Sequence, residues 1–249
     1  MTKQELFHLL KEKFLSFLQE KEICGDAIDI VTKTLTPEEA IGITKRKDFP
    51  IITGKEVMLQ AEYRGSRGQA FTDAPTVFRG TLKEICEMDL ENDVRARGLF
   101  IASLNAVMCY FGLADRTVHC KGDIPEQCAH HIVERIKKEY GNPKVLLVGY
   151  QPAILENCAS QFETRVLDLS PANIGEIRYH VKVEHGVEDY ESAVAWADLI
   201  LCTGSTVCNG SIVNYLGLDQ PVLFFGTTLS GVADWLGAQR ICFAEETEI

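Results

Sequence analysis

The stretch ILCTGSTVCNGS, residues 200–211, changes character after its third residue. Residues 200–202 are apolar and predict a β-strand that is buried on both of its faces. Residues 203–210 then bring mainly threonine, serine, asparagine and glycine, which offer little to a hydrophobic core. Strands with two buried faces are typical of parallel sheets. The stretch therefore predicts one strand of such a sheet, followed by a polar loop.

The carboxyl-terminal half repeats this pattern. Apolar runs that predict strands lie at 142–150, 164–170, 198–204, 221–228 and 240–244. Segments that predict the intervening helices lie at 151–162, 187–197, 209–218 and 231–237. Apolar strands that alternate with helices indicate an α/β fold, a doubly wound parallel sheet with helices on both faces. This half is therefore predicted to be Rossmann-like.

The amino-terminal half follows a different pattern, in which strands precede the main helices. Strands are predicted at 26–36, 38–46, 57–63 and 68–74. Residues 64–67 form a four-residue link that suits a hairpin. Thr81 and Glu84 have capping-box spacing, which predicts a helix start, and residues 94–112 predict a longer buried helix. This half is predicted to be an α+β domain.

The chain of 249 residues suits two domains. We place them at residues 1–115 and 116–249, with 116–141 as a connecting segment and helix in which Pro125 occupies the first turn. Residues 1–22 carry apolar residues at helical spacing, broken by charges, and predict an amphipathic helix rather than a signal peptide.

The overall charge argues against two classes of partner. The formal net charge is −11, and no Lys/Arg run offsets it, so we expect no nucleic-acid binding. No window is apolar enough to span a membrane, so we expect no membrane partner and a cytoplasmic location. The sequence leaves the oligomeric state open, a homo-oligomer included.

Nine cysteines are scattered along the chain without a CxxC pair, and most lie in apolar runs. In a reducing compartment we expect them to be buried thiols rather than disulfides or zinc ligands. One stretch resembles a metal-binding cluster, with candidate ligands at His119, Cys120, Cys128, His130 and His131. On a helix, Cys128 would share the apolar stripe while His130 and His131 point away from it in different directions. We therefore predict no metal site there.

The strongest signal is shared by four predicted strand ends, where apolar residues give way to small polar ones. Because ligands bind beyond the carboxyl ends of parallel strands, we expect the four loops to surround one ligand site. Glycines let backbone N–H groups approach a ligand, and hydroxyls add donors and acceptors, which favours a small anionic or hydroxyl-rich molecule. The alternative is that these residues only cap helices and form turns. The candidate residues are Gly149, Tyr150, Gln151, Pro152, Asp168, Asn173, Thr203, Gly204, Ser205, Thr206, Asn209, Gly210, Gly226, Thr227 and Thr228.

Asp168 raises the question of a nucleoside ligand. It lies 19 residues after Gly149, at the tip of the next strand, where a carboxylate can hold a ribose. The segment VGYQPAI has one glycine, and Pro152 stands where a pyrophosphate would need a small residue, so a dinucleotide cofactor is disfavoured. S-adenosylmethionine or another nucleoside-type ligand stays open. Asp168 as a helix cap or surface residue is the alternative.

Other candidates lie outside the strand ends. Arg64 and Arg67 are predicted either to clamp a carboxylate or phosphate or to form a solvated hairpin tip. Asn105, polar within an apolar helix, must find a partner if buried and is placed at the domain junction. His180 and His185 are general-base candidates, although exposed loop histidines are the simpler interpretation. The chain has no GxSxG, P-loop or HExxH motif, and its catalytic residues stay unknown.

Four segments resemble, in order and spacing, the bacterial and archaeal "putative heavy-metal chelation" domain family: VLLVGYQP, VLDLSPANIG, WADLILCTGSTVCNGSI and VLFFGTTLSG. The GQAFT and IASLNAV segments resemble the domain that usually precedes it. The resemblance implies an enolase amino-terminal-like domain, a Rossmann-like domain and a pocket between them. It also implies a link to chelator or siderophore-type molecules, or condensation or hydrolysis of pterin- or flavin-like compounds. This chain has Gly226-Thr227 where the family often has Gly-Pro.

Three functions follow as hypotheses. The first is an enzyme that binds a small polar or anionic ligand in the interdomain cleft. The second is a non-catalytic protein that binds or carries a metal chelate. The third is an S-adenosylmethionine-dependent methyltransferase-like enzyme. Because Gly204 lies at a strand end, replacing it with valine is predicted to abolish ligand binding while the fold persists.

Overall fold

We describe the fold from a computed structural model, which covers residues 1–28, 33–42, 48, 57–74 and 76–243. The helices, in chain order, are α1 Lys3–Glu20, α2 Pro37–Ile41, α3 Leu82–Glu87, α4 Val94–Tyr110, α5 Ile124–Tyr140, α6 Pro152–Ala159, α7 Tyr190–Trp196 and α8 Thr206–Asn209. The strands are β1 Ala27–Ile28, β2 Lys33–Leu35, β3 Val57–Tyr63, β4 Ser66–Thr72, β5 Gly80–Thr81, β6 Val145–Val148, β7 Thr164–Asp168, β8 Ile177–Arg178, β9 Val181–His185, β10 Leu199–Thr203, β11 Val222–Phe225 and β12 Gln239–Ile241.

The carboxyl-terminal half contains a seven-stranded sheet in the order β12-β11-β10-β6-β7-β9-β8. Its first six strands run parallel, and β8 pairs antiparallel with β9 at one edge. From β6 the chain first builds outward through β7 and β9, and it then returns to the other side of β6 with β10. Neighbouring loops therefore diverge between β6 and β10, which leaves a crevice at the carboxyl ends of these strands.

Both faces of this sheet are buried, as its apolar strands predict. Leu147, Leu201 and Leu223 belong to a core cluster with residues of α5 and α6. The residues that alternate with them belong to a second cluster, which continues into α1 and α4 of the amino-terminal half. Side chains alternate along a strand, so each strand supplies both cores. The amino-terminal half thus covers one face of the parallel sheet.

In the amino-terminal half, α4 packs against an antiparallel sheet in the order β2-β3-β4. The contact is closest at Gly68, where a Cβ atom would lie 2.1 Å from the Ala106 nitrogen and 2.4 Å from the Ala102 oxygen. Residues of α4 from Ala96 to Met108 are buried, which confirms the predicted buried helix. The capping box between Thr81 and Glu84 is present.

Two predictions in this half were wrong. The predicted strand 38–46 is instead helix α2 over residues 37–41, because Thr36 forms a capping box with Glu39 and Pro37 occupies the first turn. Residues 43–47 lie outside the described part. The four-residue hairpin link is a two-residue turn, since Tyr63 already pairs with Ser66. Arg64 and Gly65 adopt φ angles of 48° and 84° to make it.

Two predicted helices in the carboxyl-terminal half are also shorter than expected. The helix predicted at 209–218 is divided at Gly210, which has a φ of 78°, into α8 and a 3₁₀ turn at Ser211–Asn214. The helix predicted at 231–237 is a 3₁₀ turn at Asp234–Leu236. The hairpin of β8 and β9 was not predicted at all. The five strands predicted in this half are present, and each observed end lies within three residues of the predicted one.

Helix α1 buries Leu6, Phe7, Leu10, Phe14 and Leu18, so its predicted apolar stripe is confirmed. In α5, Ala129, Ile132, Val133 and Ile136 are buried while His130 and His131 are exposed, as the helical spacing predicts. Within the described residues, no helix has the length and apolar character to cross a membrane.

Candidate functional site

A cavity lies at the carboxyl ends of β6, β10, β11 and β12, beside the crevice between β6 and β10. Its empty volume is ≈ 1070 Å³ with the open solvent at its mouth included. The lining residues are Phe71, Arg116, Val118, His119, Cys120, Pro125, Cys128, Ala129, Ile132, Gly149, Tyr150, Gln151, Ile154, Thr203, Ser205, Phe225, Gly226, Thr227, Thr228, Ile241 and Cys242.

Three of the four predicted loops meet at this cavity. The cavity is lined by Gly149–Gln151 of the first loop, by Thr203 and Ser205 of the second, and by Gly226–Thr228 of the third. These three loops are distant in sequence. Two of these loops turn at glycines in the left-handed region, with φ angles of 85° at Gly149 and 95° at Gly226. At Gly149 a Cβ atom would lie 2.6 Å from Cγ2 of Thr203, so a larger residue would force the β6 and β10 loops apart.

The fourth predicted loop does not line the cavity. Asp168 accepts hydrogen bonds from the backbone N–H groups of Tyr150 at 2.7 Å and Ser170 at 2.6 Å. Both carboxylate oxygens therefore stabilise turns, which is the capping alternative rather than a grip on a ribose. Asn173 is buried in the same loop, where its backbone N–H donates to the Ser170 carbonyl.

The segment 203–210 contributes two lining residues, while the others build its turn. The Thr206 hydroxyl donates to the Thr203 carbonyl at 2.7 Å, and Thr206 is buried. Gly204 packs inward, with a Cβ position 2.8 Å from Cβ of Leu229. The prediction that valine at Gly204 leaves the fold intact is therefore wrong, because the side chain would overlap the core. Asn209 is exposed and accepts from the Ser211 N–H, and Gly210 lies against Lys3.

Asn105, Thr227 and Thr228 join the two halves of the chain. The Asn105 amide donates to the Gln69 carbonyl and to the Thr228 carbonyl, at 2.9 and 3.0 Å. The Thr228 hydroxyl accepts from the Phe71 N–H at 3.1 Å. Asn105 is fully buried and does not line the cavity, so its role here is structural. These hydrogen bonds place Asn105 between α4, β4 and the loop after β11.

The expected cradle of backbone N–H groups is not present at four positions. The N–H groups of Gly149, Tyr150, Gly204 and Ser205 donate to Leu167, Asp168, Phe225 and Thr203, respectively. A group that already donates within the protein has little to offer a ligand. At these four positions only side chains can donate hydrogen bonds to a ligand. Gln151 lines the cavity as well, and its Oε1 atom accepts from the Ile154 N–H at the start of α6, where Pro152 occupies the first turn without lining the cavity.

Neither predicted arginine lies at the cavity. Arg64 occupies the hairpin tip, where it pairs with Asp26 at 2.6 Å, and Arg67 faces Glu62 on the same hairpin. Arg116 lines the cavity instead. Its backbone has a φ of 48°, an unusual value for a residue other than glycine. The sequence analysis missed it because it lies in the connecting segment, away from any strand end.

The backbone of Arg116 is held by three side chains. Its carbonyl accepts from the hydroxyls of Thr227 and Ser230, at 2.8 and 3.2 Å, and from the Arg240 guanidinium at 3.0 Å. Arg240 also donates to the Gly226 carbonyl. The connecting segment and the β11 loop are thereby fixed to each other. The Arg116 guanidinium pairs with Asp115 at 2.6 Å and is one-third exposed.

His119 is the second residue that the sequence analysis did not assign to the site. Its backbone N–H donates to the Gln69 side chain at 2.7 Å, and its ring makes an edge contact with Phe71. Burial lowers the pKa of His119 from its ordinary value, although a hydrogen bond from its ring to the Cys120 carbonyl acts in the opposite direction. The two predicted histidines lie elsewhere: His180 forms the β8–β9 turn, and His185 accepts backbone N–H groups through Nδ1.

Three cysteines form part of the cavity wall. Burial raises the pKa of the Cys120 thiol to about 12. The pKa of Cys128 is also raised, first by a hydrogen bond with Cys242 and then by burial. At neutral pH the thiols of Cys120 and Cys128 are therefore protonated when no metal ion is bound. In the part of the chain that the structure describes, no group of three or more His, Cys, Asp or Glu residues could hold a metal ion.

The cavity walls combine an apolar and a polar region. The apolar region consists of Pro125, Ala129 and Ile132 of α5 together with Ile154 and Phe225. The polar groups belong mainly to the connecting segment and the strand ends, and none of the lining residues is acidic. A protein with a net charge of −11 thus has a cavity with one arginine and no carboxylate. Its chemistry favours a molecule with an apolar body and a neutral or anionic polar group.

These features define an α/β protein with a cavity at the carboxyl ends of a parallel sheet. Residues 133–241 match the family described as "Putative heavy-metal chelation", DUF364. This match confirms the resemblance seen in the motifs of the carboxyl-terminal half. None of the curated proteins matches the chain.

Two solved structures share the fold. One is a protein with unknown function from the DUF364 family from Pyrococcus horikoshii, with 13% identity, a TM-score of 0.55, and coverage of 90% of this chain and 79% of that one. The other, also from the DUF364 family and of unknown function, is from Desulfitobacterium hafniense, with 12% identity, a TM-score of 0.55, and coverage of 92% and 83%. At these identities the likeness concerns the fold alone.

Proposed function

We propose that the protein binds a small molecule with an apolar, ring-sized body and a neutral or anionic polar group in the cavity at the carboxyl ends of β6, β10, β11 and β12. One observation carries the proposal: segments from six separate parts of the chain, including Phe71 and Arg116, surround a single cavity beside the point where the strand order reverses. Such a position is the usual ligand site of doubly wound sheets.

The proposal extends to the arrangement of domains. We infer an enolase amino-terminal-like domain at residues 1–115 and a Rossmann-like domain at 116–249, with the ligand near their junction. The strand order and the parallel direction of six strands support the Rossmann-like assignment. Phe71, from β4, would close the cavity from the amino-terminal side.

The family description favours a link to heavy-metal chelation. The resemblance in the motifs implies siderophore-type compounds, or pterin- or flavin-like rings, as candidate ligands. A cavity lined by apolar side chains and one arginine suits a planar ring with an acidic substituent. Condensation or hydrolysis of such a molecule is the enzymatic form of the proposal, and carriage of a metal chelate is its non-catalytic form.

The methyltransferase hypothesis loses its main support. It depended on Asp168 holding a ribose, and both oxygens of that carboxylate accept backbone N–H groups. S-adenosylmethionine therefore enters the experiment below as a comparison compound.

The test is calorimetric titration with pterin-6-carboxylate, a ferric catecholate and S-adenosylmethionine. We expect binding of the pterin carboxylate or the ferric catecholate in preference to S-adenosylmethionine. Ser205, which lines the cavity and is half-buried, gives the blocking variant Ser205→Phe. Asn209, exposed in the same segment and remote from the lining, gives the matched control Asn209→Phe.

The blocking variant should lower affinity at least tenfold, while the control keeps that of the unmodified protein. Equal affinity in the two variants would place the bound compound outside the cavity and refute the proposal. Absence of binding by all three compounds at millimolar concentration would refute it as well.

A further inference from the structure

We propose that His119 is a fixed hydrogen-bond acceptor of the cavity, and that the bound molecule therefore presents an O–H or N–H group to its Nε2 atom. This inference rests on the proposed function, because it concerns the same cavity, and it narrows the class of ligand. The bound molecule must carry a donor in addition to its apolar body.

The ring's protonation pattern follows from a single contact. Nδ1 of His119 lies 2.6 Å from the Cys120 carbonyl oxygen. A carbonyl can only accept, so Nδ1 must carry the proton. In the neutral ring, Nε2 is then unprotonated and presents its lone pair.

The Nε2 atom of His119 is the ring nitrogen that stays available at the cavity. His119 lines the cavity, and no side chain of the described residues donates to its Nε2. Within the described residues, Nε2 of His119 is not one of the buried side-chain atoms without a hydrogen-bond partner. An atom that has no partner and is not buried is exposed to solvent. Nε2 is therefore reached by solvent within the cavity, where a ligand can replace water.

The ring is held in place before any ligand binds. Its edge contact with Phe71 has a centroid distance of 5.5 Å and an interplanar angle of 89°. The backbone N–H of His119 donates to Gln69, whose own amide donates to Gln60 at 2.8 Å. Gln69 is only 1% exposed, so this support is rigid. A preorganised acceptor discriminates by the geometry of the incoming donor.

Several other polar groups at the cavity already have partners within the protein. The Arg116 guanidinium can only donate, the hydroxyl of Thr228 accepts from the Phe71 N–H, and Oε1 of Gln151 accepts from the Ile154 N–H. The thiols are weak hydrogen-bonding groups. Burial also keeps the His119 imidazole neutral at pH 7. A ligand without a donor would leave Nε2 unpaired in a partly apolar site, whereas a ligand with one would satisfy it.

Phenol and anisole are suitable probes, since both have a ring that fits apolar walls and only phenol has a hydroxyl donor. Their dissociation constants would be measured by NMR titration with the full-length protein and with the His119→Phe variant. His130→Phe is the matched control, because His130 is exposed on α5 and does not line the cavity. We expect the preference for phenol over anisole to fall about fivefold in His119→Phe and to stay unchanged in His130→Phe.

A second measurement needs no variant and covers the case in which His119→Phe fails to fold. In ¹⁵N spectra of the imidazole groups, phenol should move the Nε2 resonance of His119 toward the protonated range, and anisole should not. A preference that is the same in both variants, or an Nε2 resonance that ignores phenol, overturns the role of His119 and leaves the cavity as a binding site. If neither phenol nor anisole binds, both the proposed function and the role of His119 are contradicted.

Discussion

The Oδ1 atom of Asn105 in α4 accepts a hydrogen bond from the backbone N–H of Gly231, 126 residues further along the chain, at 2.7 Å. The same side chain donates to the Gln69, Thr227 and Thr228 carbonyls. One fully buried amide thus fixes α4, β4 and the loop after β11 to one another. Because Thr227 and Thr228 line the cavity, this junction also fixes part of the site.

Replacing Asn105 with alanine should lower the free energy of unfolding by about 2–4 kcal/mol, because the Gly231 N–H is left buried without its acceptor. Urea denaturation with linear extrapolation measures the loss. Asn157→Ala is the control, since that half-buried amide donates only to the Ala153 carbonyl of its own helix. A loss at Asn105 no greater than at Asn157 would contradict the junction.

Gly149 should tolerate alanine less well than another glycine with the same backbone conformation. Both Gly149 and Gly175 have φ angles near 85°, at 85° and 86°. A Cβ atom at Gly149 would meet Thr203, whereas one at Gly175 would have no atom within 4 Å. We expect Gly175→Ala to cost about 1 kcal/mol from backbone strain, and Gly149→Ala about 2–4 kcal/mol from strain and overlap together.

The comparison is again made by urea denaturation. Equal losses in the two variants would mean that Thr203 moves aside freely, and the close approach of the β6 and β10 loops would then not matter for stability.

Gly204 provides a test of core packing beneath the loop. A Cβ atom there would lie 2.8 Å from the Leu229 Cβ atom and 3.1 Å from the Leu229 nitrogen. Gly204→Ala should therefore cost about 1–3 kcal/mol through overpacking, with a lower midpoint of thermal unfolding. At Gly25 a Cβ atom has nothing within 4 Å, so Gly25→Ala should leave the midpoint nearly unchanged. A Gly204→Ala protein as stable as Gly25→Ala would refute this packing.

The stability of the protein should depend on pH through His119. Its pKa in the folded state lies below the ordinary value of 6.5 because of burial. Between these two pKa values the unfolded chain binds more protons, so the free energy of unfolding falls as the pH falls below about 6.5. The hydrogen bond from the His119 ring to the Cys120 carbonyl acts in the opposite direction, but the net shift of the pKa is downward.

Replacing His119 with glutamine should flatten this dependence, measured as unfolding free energy between pH 7.5 and pH 5.5. His130→Gln serves as the control, because His130 is exposed and pairs with Glu134 on α5. An identical pH slope in the two variants would show that His119 is not the group responsible.

The sequence predicted the parallel sheet because each of its main strands is apolar on both faces, a local pattern that only a covered sheet explains. It also predicted that the loops after β6, β10 and β11 share one site, since strand ends of a parallel sheet lie at one edge. Asp168 shows the limit of that reasoning. A carboxylate at a strand end can hold a ligand or cap a turn, and only its partners distinguish the two.

The sequence did not predict Arg116 and His119 as residues of the site, and the reason is different. They lie in a connecting segment without periodicity, and their place at the cavity depends on hydrogen bonds to Thr227, Arg240 and Gln69. Contacts over such separations leave no local signal in a single sequence. The shortened helices have a similar cause at Gly210, whose left-handed backbone ends α8.

The most direct test of the central claim is a crystal structure of the protein soaked with the compound that binds best in calorimetry. We expect electron density for the compound to fill the cavity between the Gly149 turn and His119, with its polar group near Arg116. Density for the compound at another surface, with this cavity left to solvent, would contradict the central claim.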